Sequence, residues 1–202
     1  MTESSRLIVG ITGASGVIFG VRLLEVAIDL GIETHLIMSD WAEKTIIAET
    51  KRNPDDVRKL ASYSYASDNQ AARISSGSFL TSGMIVLPCS MRSLAAIANG
   101  LSETLVHRAA DVVLKEQRKL VLMARESPLS IIHLENMLKV ARAGAIVAPP
   151  LPAFYSRPKT VEDMIDHTVG RALDLFGIDN DLCKRWGERQ LAAADPPVER
   201  SG

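Results

Sequence analysis

The segment Arg6 to Gly20, RLIVGITGASGVIFG, constrains this chain more than any other. Arg6 to Ile11 is a nearly continuous apolar run, the pattern of a parallel strand covered on both faces. Thr12-Gly-Ala-Ser-Gly16 breaks the run with small residues that let the backbone approach a ligand closely. Val17 onward reads as helix, so the loop opens onto a helix N-terminus, whose free N–H groups and positive dipole end attract phosphate. The same loop reads equally as a tight strand-to-helix turn with Ser15 as an ordinary cap. Glycines at 10, 13 and 16 do not fit G-x-G-x-x-G, which weakens a dinucleotide reading.

Further along, Glu33 to Met38 is a second strand and Ser39 caps a helix from about Asp40 to Glu49. A dinucleotide enzyme presents an acid at the end of its second strand, whereas Ser39 suits a phosphate or hydroxyl. Thr50 to Ser82 is polar and mixed, a crossover with a short helical piece near Asp55 to Ala61. Gly83 to Pro88 is a buried strand, followed by the small polar run Cys89-Ser-Met-Arg-Ser93 and a helix over Leu94 to Asn99. A helix from about Glu103 to Glu116 leads into the strand Lys119 to Ala124, which ends at Arg125-Glu126. Ser130 to Ala143 reads as helix with Gly144 as its C-cap, and Ala145 to Ala148 as a further strand. After a proline-rich loop, Thr160-Val-Glu-Asp163 is a capping-box variant that starts the last helix, ending near Gly177.

Strands alternating with helices predict a three-layer α/β fold with a parallel sheet, whose ligands sit beyond the strand C-termini. Thr12 to Gly16, Ser39, Cys89 to Ser93, Arg125-Glu126 and the Pro149 to Arg157 loop all fall at that edge. The 202 residues and 47% hydrophobic content suit one well-buried domain. We expect it over residues 1–188, with a flexible tail at 189–202.

Net charge of -1 and a pI near 6.4 leave no basic footprint for nucleic acid. No apolar run is long enough to span a membrane, and MTESSR lacks a signal-peptide layout, so a cytoplasmic location is expected. Cys89 and Cys183 are too few for a disulfide framework, and His35, His107, His133 and His167 are dispersed, so no metal site is expected. On Val17 to Leu30 the charges Arg22, Glu25 and Asp29 form one narrow stripe. His107, Arg108, Asp111 and Lys115 likewise share one face of the Leu105 to Leu114 helix. Surplus apolar helix surface of this kind predicts a homo-oligomer.

Arg125 and Glu126 follow a buried strand directly, where charge points to a ligand-facing cleft. Arg108, Asp111 and Lys115 have the spacing of a solvated salt ladder. Tyr155 in the proline-stiffened loop and Arg171 on the last helix offer a phenol and a guanidinium, both suited to phosphate. Glu49 ends its helix, where a carboxylate opposes the negative dipole end, a misfit of the kind functional residues show.

TGASG, SSGSF, PCSMRSLAAIA, RAADVVLKE, ARESPLSIIHLENM and PPLPAFYSRP, in this order, closely resemble the flavin prenyltransferase family of UbiX and Pad type. The resemblance covers roughly Arg6 to Glu188. It implies a six-stranded Rossmann-like fold and homo-oligomers, typically dodecamers, with the active site between subunits. The activity implied is metal-independent transfer of a dimethylallyl group from dimethylallyl phosphate to reduced FMN, bonding flavin nitrogen-5 and then carbon-6. The prenylated FMN then passes to a UbiD-type decarboxylase.

By matching position, the resemblance implies FMN contacts from Gly13, Ala14, Ser15, Ser39, Ser90, Met91, Arg92, Ser93 and Arg125. It implies a phosphate cradle from Arg108, Lys115, Tyr155 and Arg171, with Glu49 and Glu126 as acid-base or cation-stabilising carboxylates. Ser15 would orient the reacting groups and Trp186 would close the site. Lys119 departs from the proline many members carry there. The related flavin-dependent cysteine decarboxylases are an alternative, but Pro88-Cys-Ser-Met-Arg92 lacks their asparagine. A non-catalytic accessory subunit of an aromatic-acid decarboxylase is another, and the phosphate-gripping residues argue against it.

Overall fold

The computed structural model describes residues 6–183, so Trp186 and the 189–202 segment lie outside the described residues. The chain divides into two compact units, one ending at Pro150 and one beginning at Leu151. The first unit holds β1 (Arg6–Ile11), α1 (Val17–Asp29), β2 (Glu33–Met38), α2 (Asp40–Thr50), α3 (Pro54–Arg58), β3 (Tyr63–Tyr65), β4 (Gly83–Cys89), α4 (Met91–Ala98), α5 (Leu105–Lys115), β5 (Lys119–Ala124), α6 (Ile131–Arg142) and β6 (Ile146–Val147). The second holds α7 (Val161–Asp174), opened by a capping box between Thr160 and Asp163.

All six strands form one parallel sheet in the order β3-β2-β1-β4-β5-β6. β1 is central, with Leu7 beside Thr34 on one side and Gly83 on the other. Five of its six residues are buried and β4 is buried throughout, as an apolar run covered on both faces requires. Gly20 lets α1 lie directly on this centre, because a Cβ there would stand 2.5 Å from the Leu87 carbonyl oxygen.

The apolar surface of α1 and α5 is used inside the chain. On α1, Val17, Val21, Leu23, Leu24, Val26 and Ala27 are buried. On α5, Leu105, Val106, Ala109, Ala110 and Val113 pack in one cluster with Met84, Val86, Leu120 and Leu122. Each valine, leucine or methionine among them contributes about 1.5–3 kcal/mol when removed from water. The narrow polar stripes on these helices therefore reflect a thick intrachain core, and His107, read as part of the α5 stripe, faces that core instead, 4% exposed. Among the described residues α6 leaves four large apolar side chains in solvent, Ile131, Ile132, Leu134 and Leu138, with Ile131 74% exposed and Ile132 67%, and α2 leaves Trp41 and Ile47. Among the described residues, no helix is long and apolar enough to cross a membrane.

Several local expectations need correction. β3 lies inside the segment read as a polar crossover; its Tyr63 and Ser64 are exposed, so an edge strand of this kind carries no apolar run. α4 begins at Met91, with Ser90 as N-cap, so Met91 to Ser93 form its first turn instead of a loop. Gly16, at φ 97°, occupies the N-cap position of α1 and has no side chain to cap with, so Ser15 is not the N-cap residue. Ala143 is the C-cap of α6, and Gly144, at φ 101°, follows it in the left-handed conformation that favours glycine.

Candidate functional site

The strand order reverses between β1 and β4, and a parallel sheet opens a crevice beyond the strand ends at such a point. Thr12 stands at the end of β1 in this gap, 1% exposed. Its backbone N–H and its hydroxyl both donate to the Pro88 carbonyl, at 3.2 and 2.8 Å, and its Oγ1 accepts the Ser90 N–H at 2.8 Å. Ser39 N–H donates to Ile11 at 3.0 Å and Arg125 N–H to Cys89 at 3.1 Å. These bonds stitch neighbouring strand ends and bring the β1 loop, Ser39, Ser90 and Arg125 to one edge. The sequence places Thr12 at this edge as part of the small-residue loop, but its bonds to Pro88 and Ser90 cannot be read from it, since they join positions 76 and 78 residues away.

Within the β1 loop, Gly13 packs so closely on α2 that a Cβ would lie 2.4 Å from Trp41 Cβ. Ala14 is half-buried and Ser15 is exposed at the tip. Glu49 reaches back from α2: its Oε2 accepts the N–H groups of Gly16 at 2.8 Å and Val17 at 3.3 Å. The carboxylate thus caps α1, and its unfavourable place at the end of α2 is offset by the positive end of another helix. Of the two readings of this loop, phosphate site or tight strand-to-helix turn, the Gly16 and Val17 N–H groups follow the second, with a protein carboxylate as their acceptor. Ser39 is similarly engaged, its Oγ accepting the Ala42 N–H at 3.1 Å.

At the end of β4, Ser90 Oγ accepts the Ser93 N–H at 3.3 Å and donates to Ser93 Oγ at 3.2 Å. Ser93 is turned inward, 6% exposed, with His107 Nε2 at 3.4 Å from its hydroxyl. Burial holds His107 below its ordinary pKa, which keeps the ring neutral. Burial also pushes the Cys89 thiol up to about 12, so Cys89 is not a thiolate nucleophile at neutral pH. Met91 is half-buried and Arg92 exposed, 3.9 Å from Glu103. The first-turn N–H groups of Met91 and Arg92 have no acceptor within their own helix. With the guanidinium groups of Arg92 and Arg125, they form a donor set that fits a phosphate-bearing flavin.

Among the remaining site residues, Arg108 and Lys115 do not meet at one point of α5. Arg108, half-buried, binds Asp111 at 2.9 Å and the Ser75 carbonyl at 3.3 Å. Lys115 binds Glu116 at 2.6 Å, so the ladder extends only from Arg108 to Asp111. α5 starts at the strand-end edge, where Leu105 N–H donates to Ser67 just past β3, and finishes where the chain enters β5. Arg108 and Lys115 are consequently about 10 Å apart along its axis. Arg125 and Glu126 are exposed, and Glu126 accepts the Ser127 N–H at 3.0 Å. In the second unit, Tyr155 Oη lies 3.1 Å from His167 Nε2, and Arg171 pairs with Asp174 at 2.6 Å.

Comparison with known proteins places this geometry. Residues 1–173 match the Flavoprotein family. A probable UbiX-like flavin prenyltransferase of Bacillus subtilis (strain 168) is 55% identical over 191 residues, 94% of each chain. The crystal structure of AnUbiX in complex with FMN and dimethylallyl pyrophosphate superposes with a TM-score of 0.91 at 52% identity, over 93% of this chain and 100% of that one. A dodecameric FMN-dependent UbiX-like decarboxylase from Escherichia coli O157:H7 gives a TM-score of 0.88 at 55% identity, over 90% of this chain and 98% of that one.

Proposed function

Because the chain belongs to the Flavoprotein family and, within it, to the UbiX-type flavin prenyltransferases, we propose that it joins the dimethylallyl group of dimethylallyl phosphate to nitrogen-5 and carbon-6 of reduced FMN. It is a flavin prenyltransferase, with FMN as the acceptor. Bound reduced FMN supplies the nucleophilic nitrogen and ring carbon. The carbon–oxygen bond of the allylic ester breaks and phosphate leaves with the electron pair as nitrogen-5 bonds the prenyl group and gives up its proton; for ring closure the prenyl double bond takes up a proton, its far carbon bonds carbon-6, and the carbon-6 proton departs.

The side chains divide these tasks. Gly13, Ala14 and Ser15 line the approach, and Ser39, Ser90 and the first turn of α4 hold the flavin's polar groups, with Arg92 and Arg125 supplying positive charge. Ser93 contributes from inside, through Ser90. Glu49 receives the ring proton, and Glu126 stabilises cationic character in the prenyl group. Arg108, Lys115, Tyr155 and Arg171 take up charge on the departing phosphate, since charge-assisted donors stabilise it most. As Arg108 and Lys115 stand two turns apart on α5, the cradle is completed between copies of the chain. A homododecamer like the Escherichia coli relative suits this, with the exposed apolar residues of α6 as contact surface. The product serves a UbiD-type decarboxylase in the cytoplasm.

One observation carries the reading: the Glu49 carboxylate lies 2.8 Å from the Gly16 N–H, inside the β1 loop at the switch point. The test is anaerobic incubation with reduced FMN and either dimethylallyl phosphate or dimethylallyl pyrophosphate, followed by mass spectrometry of the flavin. Flavin heavier by one prenyl unit is expected; unaltered FMN with both esters overturns the proposal.

A further inference from the structure

His107 is buried, at 4% exposure, on a helix face otherwise lined by alanine and valine, and the reaction above does not use it. A histidine there carries a desolvation cost that an aliphatic residue would not. Its Nδ1 has no hydrogen-bond partner among the described residues. Its Nε2 has one, Ser93 Oγ at 3.4 Å. Ser93 Oγ already accepts the Ser90 hydroxyl and keeps a second lone pair for His107 Nε2–H. That tautomer leaves Nδ1 as a bare acceptor; the other would leave a buried N–H without an acceptor. Beyond Ser93 the bonds continue to Ser90, whose N–H is held by Thr12 Oγ1 at 2.8 Å. A continuous hydrogen-bonded chain therefore runs from α5 to both loops flanking the switch point.

We infer that His107 is a positioning residue for flavin binding: through Ser93 Oγ it fixes the Ser90 side chain and with it the first turn of α4. The inference rests on the proposed FMN site. Polar networks in a low-dielectric interior specify one arrangement of their members, so removing the histidine frees Ser93 to rotate and loosens the Ser90 cap. Because His107 precedes Arg108, the same contact also sets the depth of the helix that carries the proposed phosphate ligand.

The test measures FMN affinity by flavin fluorescence titration in the parent, His107→Phe, His107→Gln, Ser93→Ala and the His107→Phe/Ser93→Ala double variant, with circular dichroism to verify folding. Loss of the contact is expected to weaken FMN about tenfold in each of the two disruptive single variants. The double variant should be no weaker than Ser93→Ala, since that variant already removes the His107 contact. Glutamine, which keeps an N–H donor, should recover most of the affinity, and the visible spectrum of bound FMN should shift only in the disruptive variants. Unchanged affinity in Ser93→Ala, or additive losses in the double variant, overturns the inference while leaving the FMN site intact. Should His107→Phe fail to fold, Ser93→Ala with His107→Gln carries the test. A parent that binds no FMN overturns the site reading itself.

Discussion

Replacing Glu49 with glutamine separates its two duties. In the folded chain Oε2 holds the Gly16 and Val17 N–H groups at 2.8 and 3.3 Å. The glutamine carbonyl can accept the same bonds, so the geometry survives while the charge facing the helix dipole is lost. For an exposed carboxylate that charge is worth about 0.3–1 kcal/mol. In a chain of this length the melting temperature should fall by no more than about 4 °C. Catalysis should suffer far more, because a positioned proton acceptor contributes about a hundredfold to ten-thousandfold. Glu49→Gln should therefore bind FMN with near-parental affinity yet form cyclised product at least about a hundredfold more slowly, collecting an adduct bonded at nitrogen-5 alone. The assay pairs a thermal melt with single-turnover quenching and mass and absorbance analysis of the flavin. Parental cyclisation rates with the same small thermal shift would show that Glu49 only caps α1, and the reasoning would fail.

Thr12→Val removes the acceptor of the Ser90 N–H and a donor to Pro88, and at 1% exposure water cannot replace either. Unfolding free energy should drop by about 1–3 kcal/mol in denaturant titration; an unchanged midpoint would refute the stitching role. Gly13→Ala places a Cβ 2.4 Å from Trp41 Cβ, so the loop must move; FMN affinity should fall and Trp41 fluorescence change, and neither changing would contradict the packing. Ile131→Lys on the exposed face of α6 should lower the oligomeric mass in light scattering without altering the chain's helix content; unchanged mass would place the interface elsewhere. His35, His107 and His167 are all held below their ordinary pKa by burial. The unfolded chain then binds protons more readily, so stability is full above about pH 6.5 and falls as pH drops toward the lower folded values. Denaturation midpoints equal at pH 7.5 and 5.5 would contradict this.

How much was legible depended on how each feature announces itself. β1, β2, β4 and β5 are apolar runs between small or charged residues, and their limits could be read directly. β3 pairs only at an edge with exposed side chains, so its residues look like loop. The serines at 39, 90 and 130 and the threonine at 160 behave as helix caps because each begins a helix with an oxygen that its first-turn N–H can reach. The link from Glu49 to Gly16 spans 33 positions and depends on how α2 folds back, which no local pattern records. The same holds for Ser93 and His107. Each alone is an ordinary polar residue, and only the packing of α4 on α5 makes them a pair. The surplus of apolar surface on α1 and α5 was visible, but its destination was not, since helix periodicity cannot distinguish an intrachain core from an interface.

The most direct test is a single turnover with reduced FMN deuterated at carbon-6 and dimethylallyl phosphate. The expected product is FMN heavier by one prenyl unit, with no deuterium left on carbon-6, with release of phosphate in equal amount. Flavin of unaltered mass, or a prenylated product that keeps deuterium on carbon-6, would contradict bond formation at carbon-6 with loss of its proton.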